Sequence, residues 1–482
     1  MSSTELTVDE REISFVVNEC LDIASLKQYQ HYADFDSETI NLLIKEGIKF
    51  AIEVVAPTRA ESDRVGCVIE NGRAKVPACL REPYNKTYEL GWGSLNSSQE
   101  YGGQGAPFTI GVVVKEALFG ANIGFSALMM LTEGVARMMY HFATKELKEI
   151  YIPKLVNGEF SGTMCLSESQ AGSDVGAVTT TAEKLTDGRY KIKGTKCWIT
   201  GGDTDLSKNV IHTVLARIKG SPSGTRGISL FLVPASRIDD NGNITESNDV
   251  QLGSIEHKMG LNCSPTCVLN FGENDNCYGY LLGEENQGMR HMFTLMNEAR
   301  LGTGVVGLGA ASAAYQNALY YAKERYQGSH INEFKDHDAK RVPIIQHPDV
   351  RLQLMQMKAR VEAIRALLYS VSKMLDLEEA ETDTTKKHDI EAFVQLLTPM
   401  CKGWGTEVAV DVVRMGIQVL GGVGYTKDFP IEQIYRDLRV ATIYEGTTGI
   451  QALDLVGRKM TMNNGALFMK LIGMFQEFSE QN

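Results

Sequence analysis

The strongest constraint on the fold is a change of texture in the middle of the chain. From about 161 to 285 it is cut into short runs, "RYKIKGTKCWITGG", "VIHTVLARI", "GISLFLVPAS" and "TCVLNFG". Each is rich in Val, Ile, Thr and aromatics, and clusters of Gly, Asp, Asn and Ser separate them. That pattern predicts the strands and turns of an antiparallel β domain. The flanks read differently. "SETINLLIKEGIKFAIEVVAP" carries apolar residues at helical spacing, with Ser37 as a cap candidate and Pro57 as a stop. Val350, Leu354, Met357, Val361, Ile364 and Leu368 fall on one helical face, with Arg351, Gln353, Lys358, Arg360 and Arg365 mostly off it. "GTGVVGLGAASAAYQNALYYAKER" predicts a second helix whose Gly and Ala let a neighbour pack closely. "DIEAFVQLLTPMCKGWGTEVAVDVVRMGIQVLGG" predicts a third, broken at Pro399, and "GIQALDLVGRKM" starts a fourth. The charged stretch 378–389 is expected to be a loop. The chain is therefore expected to be α+β and multidomain: an N-terminal helical domain (1–160), a middle β domain (161–285), a C-terminal four-helix bundle (286–460), and a helix or tail over 461–482.

Charge and cysteine usage narrow the function. Of 482 residues, 60 are acidic and 48 basic, a net charge of −12 that lacks the electrostatic footprint of a nucleic-acid binder. The most apolar region, 108–142, is interrupted by Lys115, Glu116, Glu133 and Arg137, so buried helices are expected there and no membrane span. The nine cysteines are odd in number and contain no CxxC pair. Cys263 and Cys267 lack the histidines of a zinc site, so no metal is expected. The acidic start "MSSTELTVDEREISFVV" lacks the basic, then apolar, signature of a signal peptide. A reducing compartment, cytoplasmic in a bacterial cell, fits these features.

Three stretches carry chemistry. In "RVATIYEGTTGIQ" (439–451), Glu445 stands among apolar residues beside a glycine. A partly desolvated carboxylate has a raised pKa and suits a base near neutral pH; the plain alternative is a helix start capped by the threonines. In "TMCLSESQAGSDVGA" (163–177), a strand over Met164–Ser167 is expected to enter a small-residue turn whose amides and hydroxyls suit a phosphate, although β turns commonly contain such residues. In "KCWITGG" (196–202), Trp198 could cover a flat aromatic cofactor and Thr200 could bond its edge; a core Trp at a strand end is the plain alternative. The glycines at 421, 422 and 424 follow a helix pattern and lack dinucleotide-fingerprint spacing.

Taken in order, these stretches resemble the acyl-CoA dehydrogenase family. "SESQAGSD" resembles that family's "TEPGAGSD", "KGTKCWITGG" its "GTKxWITNG", and "QVLGGVGYTKDFPIEQIYRDLRVATIYEGTTGIQ" its C-terminal signature. The likeness spans roughly residues 40–460. The segments "YNKTYELGWGSL" and "INEFKDHDAKRVPIIQHPDVR" look like the longer branch, which includes 3-methylthiopropionyl-CoA dehydrogenases and large fatty acyl-CoA dehydrogenases. Relatives of that branch usually continue with a further helical domain.

The resemblance implies a barrel-like middle domain, bound FAD, an acyl-CoA substrate, electron transfer flavoprotein as acceptor, and a homodimer or homotetramer. It implies Glu445 as the base taking the α proton while flavin N5 accepts the β hydride. For the flavin it implies Cys165, Leu166 and Ser167 along the ring, with Ser167 in place of the commoner Thr. Trp198 would shield the ring and Thr200 would reach its edge; Gly172, Ser173 and Thr447 would lie at the phosphates. Arg325, Gln418, Gly421 and Gly422 match contacts made across a subunit interface, although "RYQGSH" lacks the aromatic of the family's "RxxF". For substrate it implies Ser173, Arg300, Tyr444 and Gly446, with Asn297 where an Asp is common; Tyr140 is a further lining candidate. An acyl-CoA oxidase, a nucleic-acid-binding relative and a redox-inactive acyl-CoA scaffold are the competing readings. The intact Glu445 and Trp198 and the acidic charge weigh against the last two.

Overall fold

A computed structural model describes residues 6–239 and 241–481, without the side chains of 293–296. In chain order the helices are α1 (Glu10–Ser14), α2 (Ser37–Phe50), α3 (Arg59–Val65), α4 (Arg81–Glu89), α5 (Phe108–Ala121), α6 (Ile123–Phe142), α7 (Lys145–Val156), α8 (Gly288–Glu324), α9 (Pro348–Ala380), α10 (Thr384–Leu420), α11 (Ile431–Leu438), α12 (Thr448–Asp454) and α13 (Ala466–Gln481). They fall, with the strands, into two compact units that interleave along the chain. A helical unit comprises Met1–Pro57, Pro107–Ile123 and Arg300–Asn482; a sheet unit comprises Thr58–Ala106 and Gly124–Ala299.

The sheet unit is built on β3 (Phe160–Cys165), β4 (Thr181–Lys184), β5 (Tyr190–Thr200), β6 (Asn209–Ile218), β7 (Ile228–Pro234), β10 (Val250–Ile255), β11 (Thr266–Phe271) and β12 (Tyr278–Leu282). Beside these lie two hairpins, β1–β2 (Val68–Glu70, Arg73–Lys75) and β8–β9 (Ser236–Ile238, Ile244–Ser247). The strand pairings β5–β12, β12–β7, β7–β6, β6–β4 and β4–β5 form a closed ring, which makes the barrel. Closure demands one departure from the expected antiparallel pattern: β6 pairs in parallel with both β3 and β4. Central strands β6 and β7 are buried on both faces, so they read as continuous apolar runs. Val214, Ala216, Phe231 and Val233 fill one core, and Ile211, Leu215, Leu230 and Leu232 pack on the other side with α6 and α7. The β1–β2 hairpin corrects the expectation that everything before 160 is helical.

In the helical unit, α8, α9 and α10 are 37, 33 and 37 residues long. The fourth bundle helix, α12, has only seven residues. Three local expectations need correction. Asp36, one residue before Ser37, is the α2 N-cap, accepting from Thr39 N–H at 2.9 Å. Pro399 lies inside α10, which runs on through it because the buried face on either side keeps its partners. The charged 378–389 stretch is mostly helix, with only 381–383 between α9 and α10.

Small residues set the spacing of the bundle. A methyl added at Gly304 would lie 2.8 Å from the Cys401 carbonyl oxygen, and one at Gly307 would lie 3.2 Å from Ala409 Cβ, so α8 and α10 approach closely. The unit also buries charge. Arg365 donates Nη2 to Glu116 Oε1 at 2.6 Å and Nε to Oε2 at 3.1 Å, and Tyr369 adds a 2.6 Å bond. Removing one partner of such a pair costs about 3–5 kcal/mol. The segment Thr384–Tyr425 is long and apolar enough to cross a membrane by length and hydropathy. Within the helical unit its buried face packs on α8 through Cys401, Thr406 and Ala409.

Candidate active site

In the helical unit, α10 ends at Gly421, which takes φ +65° and donates to the Gln418 and Ile417 carbonyls. The chain returns through α11 and a 3₁₀ turn, Arg439–Thr442, to Glu445. Glu445 has φ +54°, a left-handed conformation disfavoured for a side chain of this size. Gln451 holds it there: its Nε2 donates to the carbonyls of Glu445 at 3.0 Å and Gly446 at 3.3 Å. Gly446, at φ +87°, must be glycine, since a methyl would lie 2.7 Å from that same Nε2. Thr447, not Glu445, caps α12, its hydroxyl accepting from Ile450 N–H at 3.3 Å. The capping alternative is thereby assigned to Thr447. The Glu445 carboxylate carries no side-chain hydrogen bond among the described residues.

The charges around Glu445 act in opposite senses. Burial pushes its carboxyl above the ordinary carboxylate range, while Arg300 and then Lys402 pull against it. Arg300 is buried and donates Nη1 to Asp454 Oδ2 at 3.0 Å. Burial brings the Lys402 ammonium down to about 8, against the pull of Glu445. Burial also raises the Tyr444 hydroxyl, and Glu445 adds to this. Gly446 and Tyr444 are half-buried beside Glu445.

In the sheet unit, β3 ends at Cys165, so Leu166 and Ser167 belong to the loop and not to the expected strand. A buried ion pair anchors that loop. Lys196 Nζ reaches Glu168 Oε1 at 2.8 Å and the Leu166 carbonyl at 3.0 Å. Glu168 also accepts from the Thr179 amide at 2.7 Å and the Thr180 amide at 3.0 Å. Burial alone would raise the Glu168 carboxyl, but Lys196 and the Thr180 hydroxyl outweigh it and hold it well below the usual carboxylate range. The Ser167 carbonyl takes the Cys197 amide at 3.0 Å, tying the loop to β5. The Cys165 side chain points into the core, where burial raises its thiol to about 12.

One residue further on stands Trp198. The β5–β11 register shifts between Cys267 and Leu269, opposite Ile199 and Lys196, so two β5 residues face one on β11. This bulge carries Trp198 at φ +63° and turns its indole outward, 61% exposed. The core-Trp alternative is excluded. Thr200 pairs with Thr266 and, with Tyr84, Leu128, Thr132 and Gly162, lines a small recess. Gly172 and Ser173 are exposed at the loop tip, and a methyl at Gly172 would meet nothing within 4 Å. An outward indole, a hydroxyl beside it and an open Gly-Ser tip fit a flat ring carrying a phosphate.

The remaining candidates are more dispersed. Arg325 is exposed just past α8, its Nη2 3.4 Å from Gln327 Oε1. Gln418, Gly421 and Gly422 are exposed at the end of α10. Asn297 is half-buried on α8, and Tyr140 is 38% exposed with Lys148 over its ring. Sequence reasoning missed Lys402, Gln451, Asp454, Glu168 and Lys196. The one usable signal was a charge inside an otherwise apolar helical run, Lys402 within "PMCKGWG".

Comparison with known proteins bears on the family and the fold. Residues 37–159 match the acyl-CoA dehydrogenase N-terminal domain, 163–273 the middle domain and 286–460 the C-terminal domain. The chain is 39% identical to 3-methylmercaptopropionyl-CoA dehydrogenase of Ruegeria pomeroyi, over 94% of this chain and 76% of that protein. It is 37% identical to a butyryl-CoA dehydrogenase of Syntrophomonas wolfei, over 97% and 78%. Among solved structures, an acyl-CoA dehydrogenase complexed with FAD from Bacillus anthracis superposes with a TM-score of 0.73 at 25% identity, covering 95% of this chain and 72% of that one.

Proposed function

Because the chain belongs to the acyl-CoA dehydrogenase family, we propose that it converts an acyl-CoA thioester to the 2-enoyl-CoA with FAD as cofactor and Glu445 as base. The reading is carried by one observation: a carboxylate in a left-handed backbone, raised by burial and free of side-chain hydrogen bonds. Glu445 takes the proton from the α carbon, whose C–H electrons become the new α,β double bond. FAD, when bound, accepts the hydride that leaves the β carbon. The Glu445 N–H is the donor proposed for the thioester oxygen, and such preorganised donors commonly contribute about 3–4 kcal/mol. Gly446 keeps the backbone open to the thioester, and Trp198, Thr200 and Ser173 hold the cofactor. Arg325, Gln418, Gly421 and Gly422 are proposed to meet the cofactor of a neighbouring subunit, which makes FAD binding depend on assembly. The electron acceptor is proposed to be an electron transfer flavoprotein, a protein named in one structure of this fold at 25% identity.

Glu445→Gln is expected to retain FAD and lose the flavin bleaching produced by acyl-CoA under anaerobic conditions. Undiminished bleaching would assign the proton to another base. Turnover in air without added acceptor would move the assignment to an oxidase.

A further inference from the structure

Lys402 lies midway along α10, in the stretch "TPMCKGWGTE", and is fully buried. No described residue accepts a hydrogen bond from its Nζ. An ammonium taken out of water without a partner is costly to keep, so its retention calls for a reason. The packing indicates one. Gly304 and Gly307 bring α8 against α10 on either side of this position. Gly403, the next residue, leaves room that Gln451 fills; a methyl there would lie 3.1 Å from Gln451 Cβ. Gln451 grips the backbone of Glu445 and Gly446, while its own Oε1 is buried without a partner. Arg300 commits Nη1 to Asp454, and its Nε is likewise buried without a partner.

Thus three unpartnered polar atoms surround the loop that carries Glu445. The other acids nearby are engaged. Asp454 takes Arg300 and Arg458, and Glu407 takes the Thr448 hydroxyl at 2.6 Å. Glu445 alone among them has no side-chain hydrogen bond.

We propose that Lys402 is a positioning residue for the base, its ammonium keeping the Glu445 carboxylate ionised inside an apolar site. The inference rests on Glu445 being the base and deepens that reading. The charged and titratable groups that bear on Lys402 and Glu445 are Arg300, which opposes the lysine, Glu407 on its own helix, Tyr444 and Asp454. Burial brings the Lys402 proton off near pH 8, so the ammonium is present below that value, where the Glu445 carboxylate has to be held ionised against its burial.

The test compares wild type with Lys402→Met and Lys402→Arg in the FAD-loaded protein. Two quantities are followed against pH: the single-turnover rate of flavin bleaching by butyryl-CoA, and the infrared carboxyl band that Glu445→Gln removes. In Lys402→Met the Glu445 band should ionise about one pH unit higher, and the rate at neutral pH should fall about tenfold. In Lys402→Arg, whose charge does not titrate, the Glu445 band should keep its wild-type midpoint and the rate at neutral pH should be retained. A Glu445 band that titrates identically in wild type and Lys402→Met overturns the proposal. If Lys402→Met does not load FAD, Lys402→Gln takes its place, and a Glu445 band that titrates there as in wild type overturns the proposal alone. Normal bleaching by Glu445→Gln would instead sink the assignment of the base, a result distinguishable from either.

Discussion

Trp198 in the sheet unit and Glu445 in the helical unit break the same backbone rule and opposite burial rules. Among the described residues, ten that are not glycine have positive φ. Seven are Asn or Asp, which tolerate that conformation. Trp198, Leu261 and Glu445 remain, and two of those three are the residues a functional reading singles out. At Trp198 a β-bulge turns a large apolar ring out toward water; at Glu445 a side-chain clamp holds an acid half-buried away from it. Strain of this kind survives only where the surroundings over-determine it, and it clusters where a protein binds or reacts. The supports differ too. The bulge is anchored by the fully paired Glu168–Lys196 bridge, whereas the clamp is ringed by polar atoms that lack partners. One region is thus fully paired behind its display, and the other keeps unspent polarity around its acid.

Four experiments would break or sharpen that contrast. The largest effect is expected at the acid: Glu445→Gln should slow flavin reduction by about 10³-fold, equivalent to about 4 kcal/mol, with the far-UV spectrum unchanged. Next, Lys196→Met should leave Glu168 buried and unpaired, costing about 3 kcal/mol or more in denaturant unfolding and releasing FAD; a neutral result would remove the paired-support half of the comparison. Third comes His212 on β6, bonded through Nδ1 to Thr163 at 2.7 Å, whose burial lowers it from 6.5 to about 3. The folded sheet binds this proton less readily than the unfolded chain. Its stabilising share is therefore complete above pH 6.5 and shrinks as pH falls toward 3, by about 1.4 kcal/mol per pH unit. Melting temperatures from pH 7.5 to 4 should fall less steeply in His212→Gln. The smallest effects should come from glycine at the two strained sites. Trp198→Gly and Glu445→Gly relieve left-handed strain but free the unfolded chain, so each should change stability by no more than about 1 kcal/mol in thermal melts. The first should loosen FAD and the second should keep it.

The alternation of helical and strand texture was legible because periodicity is local. The α9 face shows this: Leu354, Met357, Val361, Ile364 and Leu368 are buried as their spacing requires. Arg365 was placed off that face and is buried nonetheless, because its partner Glu116 lies 249 residues earlier. The parallel pairing of β3 and β4 with β6 was hidden for the same reason, since short runs do not declare their partners. Glu445, Gly446 and Trp198 stood out as chemistry, but what supports them did not. Gln451 reads as an ordinary helix residue, and Lys196 as one of several lysines in an exposed-looking strand. Their roles emerge only once the fold brings distant residues together.

The interleaving of the two units has a consequence for how the molecule is made. Helix α5 is buried along almost its whole length; Gly47 on α2 packs on it early, but Gly309 on α8 and Arg365 on α9, which cover it elsewhere, leave the ribosome much later. At ordinary elongation rates the interval between Glu116 and Arg365 is roughly 12–50 s. Nascent chains arrested before residue 300 should present α5 to proteases that cannot reach it in the finished protein. Holding this apolar helix safe through that delay falls to chaperones or to transient collapse, and it makes translation speed a determinant of yield.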